Sequence, residues 1–227
     1  MNKDLKNIII VATVSLGIVG LLKLIFKNKK TNPDSDSDSK IDYIMNNKIN
    51  KVGTMIVSTP ETKLESYPLI IVFGGISFAT PDWMLSQIPD DILYKAIVVI
   101  VPYTTSYETA KSESNKFLSN NRYKTSSTSI IGFSAGGMNV QKAYDKDFKF
   151  VGLIDPSTRP EYTSISFGKN TNIVYNDSNW GGYPLIKSLL PKLGKKINSL
   201  GGNNEKVSIK HADVPKYFFD KFKNELV

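Results

Sequence analysis

The sequence predicts a three-layer α/β domain with a mostly parallel central sheet and a minimal lid, preceded by one transmembrane helix. Three observations carry this reading. Short apolar runs recur along residues 41–227, and the strongest, PLIIVF at 68–73 and AIVVIV at 96–101, are apolar throughout. A strand without alternation is buried on both faces, as in a parallel sheet covered by helices. Helical patterns lie between the runs, and that alternation is the mark of α/β layering. The third observation is the stretch SSTSIIGFSAGGMNV at 126–140, where a buried strand runs through Gly132-Phe133-Ser134-Ala135-Gly136 directly into a helix. A serine at so tight a turn is forced into strained backbone angles, and its neighbours two before and two after must be small.

Taken in order, residues 8–22 contain no charge, and the apolar character continues past Lys23 to Phe26. As a helix, residues 8–26 would span about 28 Å, close to the ~30 Å hydrocarbon thickness of a bilayer. A cleaved signal peptide would need a small-residue cleavage site after the apolar core, and Lys27-Asn28-Lys29-Lys30 follows instead. Residues 1–30 are therefore expected to be an N-terminal membrane anchor. Lys23, Lys27, Lys29 and Lys30 after the segment outnumber Lys3 and Lys6 before it, which favours a cytoplasmic C-terminal side. Residues 31–40 alternate serine with aspartate and cannot bury apolar surface, so they form an acidic, solvated linker. The glycine and closing glutamate of a calcium loop are missing from it.

Within 41–227, strands are expected at 52–58, 68–73, 96–101, 129–131, 150–154, 172–175 and 206–210. Helices are expected at 81–94, 106–120, 136–144, 185–200 and 214–226. In such sheets chemistry gathers at the carboxyl ends of the strands. The predicted turn leaves the Ser134 hydroxyl at one of those ends, and the N–H of Ala135 at the head of a helix, where partial positive charge stabilises an oxyanion.

Composition narrows the possibilities. The 227 residues, 41% hydrophobic, suffice for one packed domain and an appendage. Cysteine is absent, which excludes disulfides, thiolate metal sites and cysteine nucleophiles. The net charge of +8 is almost all lysine, Arg122 and Arg159 being the only arginines. Nucleic-acid surfaces use arginine forks and interleaved aromatics on one face, so no nucleic-acid partner is expected. A neutral serine hydroxyl is a poor nucleophile without a base, and a base needs an acid to hold its tautomer. His211 is the only histidine. A lone histidine is by default structural, but this one stands between the last expected strand and the last expected helix. Two aspartates end strands: Asp155 in VGLIDPS and Asp177 in TNIVYND. Either also suits a polar turn.

The elbow, the β/α alternation and the order of Ser134, Asp177 and His211 resemble the α/β-hydrolase family over residues 41–227. The resemblance implies a serine hydrolase of carboxylesterase or lipase-like type that forms an acyl-enzyme on Ser134. It places the base at His211 and makes Asp177 the first choice of acid by chain order, with Asp155, where some lipase-like members carry theirs, the second. It draws the oxyanion donors from Ala135 and from the loop after an early strand, where Gly74-Gly75 follows PLIIVF. Gly75 is the first choice there and Ile76 the second. Many relatives have histidine where this chain has Phe73; a backbone-built hole does not need it. The resemblance implies an ester or acyl substrate and no metal or organic cofactor. Residues 156–171 leave room only for a short lid, and Tyr103, Tyr107, Arg159, Tyr162, Trp180 and Tyr183 are candidates for the cleft rim. Acyl transfer and peptidase action would use the same parts, and a non-catalytic, membrane-anchored interaction protein would keep the fold without turnover.

Overall fold

Strands β3 (Tyr67–Phe73) and β4 (Ile97–Val101) set the architecture because their side chains are apolar in both directions. Leu69, Ile71 and Phe73 point into one core and Ile70 and Val72 into another, all almost fully buried. Helices must therefore cover both faces. The computed structural model describes residues 47–176 and 184–227, which belong to the compact unit Tyr43–Val227. The anchor expected at 8–26 and the linker at 31–40 lie outside the described residues. Among the described residues no helix is long and apolar enough to cross a membrane.

Six further strands complete an eight-stranded sheet: β1 (Asn47–Val52), β2 (Met55–Pro60), β5 (Thr125–Phe133), β6 (Phe150–Ile154), β7 (Thr171–Asn176) and β8 (Asn203–Val207), in the order β1-β2-β4-β3-β5-β6-β7-β8. The first two pairings are antiparallel and all the rest parallel. Helices α1 (Pro81–Ser86), α2 (Asp90–Leu93) and α6 (Val214–Leu226) contribute to one core. The opposite core takes α3 (Tyr107–Asn120), α4 (Gly136–Ala143) and α5 (Pro184–Ser199). The β6–β7 connection, where the sequence predicts a short lid, holds a 3₁₀ turn, Pro160–Ser164.

Three departures from the expected elements have local causes. The single strand expected at 52–58 is a hairpin, with Val52 opposite Met55 and only Gly53-Thr54 between them. Gly53 turns there with φ 59, the left-handed conformation a two-residue hairpin needs and glycine permits. The helix expected at 81–94 is two short ones, broken before Pro89, which has extended angles and starts the second. The last strand begins three residues early, at Asn203, and ends at Val207. As a polar edge strand it gives no apolar signal, whereas Val207 and Ile209 do.

Strand order fixes where a ligand can enter. From β3 the chain passes through α1 and α2 to β4 on one side, then returns through α3 across β3 to β5 on the other. The carboxyl ends of β3 and β5 are neighbours whose connections leave in opposite directions, which opens a crevice between them. Gly74-Gly75 and Ser134 follow those two ends.

The core beneath α6 depends on a glycine. A Cβ on Gly152 would lie 2.7 Å from Phe218 Cζ, so the bare β6 backbone admits the ring. Phe218 in turn meets Phe222 at 4.8 Å and Phe150 at 6.0 Å between centroids. Phe218→Ala should therefore cost about 3–5 kcal/mol. Urea unfolding checks this, and a midpoint unchanged from the parent would contradict the packing described.

Candidate active site

The sharp turn at the end of β5 is built from contacts that exclude side chains. Ser134 has φ 51, the left-handed region that a residue with a Cβ rarely adopts. The turn is held by Ser134 N–H donating to Ile154 O at 3.0 Å, while Ser134 O accepts from Gly137 N–H at 3.0 Å and Ser157 N–H at 2.7 Å. A Cβ on Gly132 would overlap the Gly136 carbonyl and lie 2.7 Å from Val140 Cγ2. One on Gly136 would overlap the carbonyl oxygens of Phe73 and Gly74. These two glycines let strand, turn and helix α4 close on one another and on the end of β3.

On the β3 side, Gly74 N–H donates to Val101 O at 2.9 Å and is committed to the sheet. The next residue is the one nearest the serine: a Cβ on Gly75 would lie 3.1 Å from Ser134 Cβ. Among the described residues, neither Gly75 N–H nor Ala135 N–H donates to a backbone carbonyl. Ala135 caps the head of α4. Two amide donors thus flank Ser134, one on each wall of the crevice.

Asp155 follows β6 and also has a positive φ, 38. It is fully buried, and its Oδ2 meets His211 Nδ1 at 2.6 Å, with only 12% of the histidine side chain exposed. A carboxylate can only accept, so toward Asp155 in that form Nδ1 carries the proton, and a neutral ring then keeps its lone pair at Nε2. Asp155 Oδ1 accepts the N–H of Asn176 at 3.1 Å. The amide of Asn176 donates to the carbonyl of Ile209, two residues before the histidine. One residue at the end of β7 therefore ties the carboxylate to the loop that carries His211. The His211 ring stacks on Phe133, the residue before Ser134, with centroids 4.6 Å apart. His211 opens a 3₁₀ turn, His211–Asp213, that leads into α6.

A buried polar network fixes the loop after Asp155 to the elbow helix. Gln141 Nε2 donates to the carbonyls of Gly137 and Ser157, each at 2.8 Å, and Gln141 Oε1 accepts from Thr158 Oγ1 at 2.6 Å. Pro156 packs against Gly137, where a Cβ would not fit.

The structure thus gathers Ser134, His211, Ala135 and Gly75 at one crevice and brings Asp155, the second choice from the sequence, to the histidine. Asp177, the first choice, lies outside the described residues. Asn176 was missed because an asparagine before an aspartate reads as a turn, and only strand pairing reveals what it joins. The rim is also different in detail. Tyr162 is buried, Tyr107 packs edge-on against Phe148 at 5.6 Å, and exposed Arg159 pairs with Glu161 at 3.8 Å. The carbonyl of Tyr103 accepts from Asn139, and Trp180 and Tyr183 lie outside the described residues. Among the described residues, Phe133 and Phe78 meet the histidine, with Trp83 behind them. Among the described residues no three His, Cys, Asp or Glu side chains gather as metal ligands. A cavity of about 780 Å³ lies at the far end of the sheet, beside Lys48, Tyr67, Arg122 and Lys124, and holds none of these groups.

This arrangement of sheet, helices and elbow is the α/β-hydrolase fold, and solved structures share it. Est1E from Butyrivibrio proteoclasticus aligns over 80% of this chain and 98% of its own, at 9% identity and a TM-score of 0.53. Carboxyl esterase 2 of the mycorrhizal fungus Tuber melanosporum aligns over 88% and 90%, at 14% identity and 0.51. The acylaminoacyl peptidase of Pyrococcus horikoshii aligns over 86% of this chain and 44% of its own, at 11% identity and 0.51. At such identities the likeness establishes the fold alone. No protein-family model matches the sequence, and no curated protein matches it.

The elbow generates its own test. Gly136→Val places a branched side chain on two backbone carbonyls that cannot move without breaking β3, so it should lower stability by more than the ~1–3 kcal/mol of ordinary overpacking. Thermal or urea unfolding measures this; a variant as stable as the parent would show that the turn has room.

Proposed function

We propose that this protein is a membrane-tethered serine hydrolase that cleaves carboxylic esters through an acyl-enzyme on Ser134. The observation that carries the proposal is the buried Asp155–His211 pair at 2.6 Å, stacked on the residue that precedes a strained serine. Withdrawing a carboxylate from water costs free energy that packing alone does not recover, and active sites are where such buried polar pairs concentrate.

In this mechanism His211 Nε2 takes the proton of Ser134 as its Oγ attacks the ester carbonyl carbon. The new Oγ–C bond pushes the carbonyl electrons onto oxygen, and the N–H groups of Ala135 and Gly75 stabilise that oxyanion. The oxyanion collapses, the bond to the alcohol oxygen breaks, and the imidazolium delivers its proton to the departing alcohol. Water, deprotonated by His211, then releases the acid and restores Ser134. Asp155 holds the Nδ1 proton and stabilises the imidazolium. We assign it this role ahead of Asp177 because of its contact with the ring. The chemistry requires no metal or organic cofactor, and the short lid suits a substrate that enters an open crevice. The tether rests on the uncharged, helix-length segment at 8–26 and the lysines that follow it.

Exposure of the full-length protein to a fluorophosphonate, followed by intact-mass and peptide analysis, should give one adduct on Ser134. The adduct should disappear in Ser134→Ala and His211→Ala. Asp155→Asn should lower ester turnover by about 10⁴-fold, as loss of the correct tautomer does in other triads, while Asp177→Asn stays within a few-fold of the parent. The reverse ranking would return the acid to Asp177. A folded protein with no adduct would favour a hydrolase fold retained for binding.

A further inference from the structure

The loop between β3 and α1 carries two large apolar side chains that face solvent beside the site. Ile76 is 54% and Phe78 48% exposed. They are not there by looseness. The loop folds back so tightly that a Cβ on Gly74 would overlap the Ala79 carbonyl oxygen, and Ala79 itself is buried. Between the two, Ser77 has φ 62, a strained angle for a residue with a side chain. Trp83 backs Phe78 edge-to-face at 5.0 Å. An apolar pair held in water by a fixed backbone, next to a nucleophile, points to a ligand with an apolar part.

The position of Phe78 specifies which part. Its ring meets His211 edge-to-face, with centroids 6.4 Å apart, and Phe133 at 6.4 Å. In the mechanism above His211 hands its proton to the departing oxygen. Whatever that oxygen carries must pass beside the histidine, while the acyl carbon stays on Ser134 and its oxyanion between Gly75 and Ala135. We infer that Ile76 and Phe78 form an apolar lip for the alcohol half of the ester, so that the enzyme selects esters of aromatic or bulky apolar alcohols. The inference rests on the hydrolase reading and adds the side of the substrate on which selection acts.

Benzyl acetate and methyl phenylacetate are isomers that place the same ring on the alcohol side or the acyl side, so their kcat/KM ratio isolates the lip from general activity. Full-length protein should favour benzyl acetate, and Phe78→Ala should lower the ratio about tenfold, the scale of a modest apolar contact in a specificity pocket. Phe78→Leu, which keeps apolar contact, should retain most of the preference. A parent ratio near or below one, or a ratio that Phe78→Ala leaves unmoved, would overturn the lip. Fluorophosphonate labelling of Ser134 separates the two readings: a labelled protein without the preference loses only the lip, and an unlabelled, folded protein that cleaves neither isomer loses both.

Discussion

The close crossing of Gly136 over the end of β3 is the contact on which the site depends. The Gly136 backbone lies against the carbonyls of Phe73 and Gly74 with no space for a methyl group. That approach joins the helix that follows Ser134 to the loop that follows the central strand. It brings Gly75 beside Ser134, so that in the proposed mechanism an amide from each wall can converge on one oxygen. Were the two backbones separated by the width of a side chain, each donor would still exist, but they would not share a target. Geometry of this kind has to be built in advance, because donors that reorganise during reaction lose the advantage of pointing at charge as it forms.

Register does for Asp155 what the crossing does for Ser134. Phe133 pairs with Ile154 across the β5–β6 ladder, so the residues after them, Ser134 and Asp155, leave the sheet side by side. Both have left-handed backbone angles, at a cost of roughly 1–3 kcal/mol each. The strain is held by hydrogen bonds on each side: Ser134 N–H to Ile154 O and Asp155 N–H to Val174 O, at 3.0 and 2.7 Å. Slippage of β6 by one residue would turn Asp155 to the other face. The apolar residues of β6 alternate between the two helix layers, and their burial forbids that slip. The hydrophobic core thereby fixes the position of a carboxylate.

The two helix layers contribute unequally to function. The layer with α3, α4 and α5 carries the elbow helix and its polar bracing through Gln141 and Thr158. The opposite layer, with α1 and α6, delivers His211 and aromatics around it, because His211 leads into α6 and Trp83 lies in α1. The crevice is where the two layers meet at the sheet's carboxyl edge. His211 reaches it from the far end of the sequence.

Much of this was legible in the residues alone. Strand-length apolar runs bounded by turn residues suit strands buried on both faces, and a glycine-flanked serine between strand and helix suits a tight turn, so the fold class and the turn at Ser134 follow from local chemistry. The partner of His211 does not. Asp155 and Asp177 both end strands and both suit turns, and chain order favoured Asp177. Strand order and register bring the end of β6 to His211, and no sequence-local signal encodes distances between strands far apart in the chain. The same holds for Asn176 and Phe78. One is an ordinary turn residue and the other an ordinary loop aromatic until the packing of β7 and of the β3 loop sets each beside the histidine's surroundings. Sequence determined which chemical groups stand at strand ends, because burial and backbone sterics act locally; tertiary structure decided which of them meet, because that depends on the order in which the strands assemble.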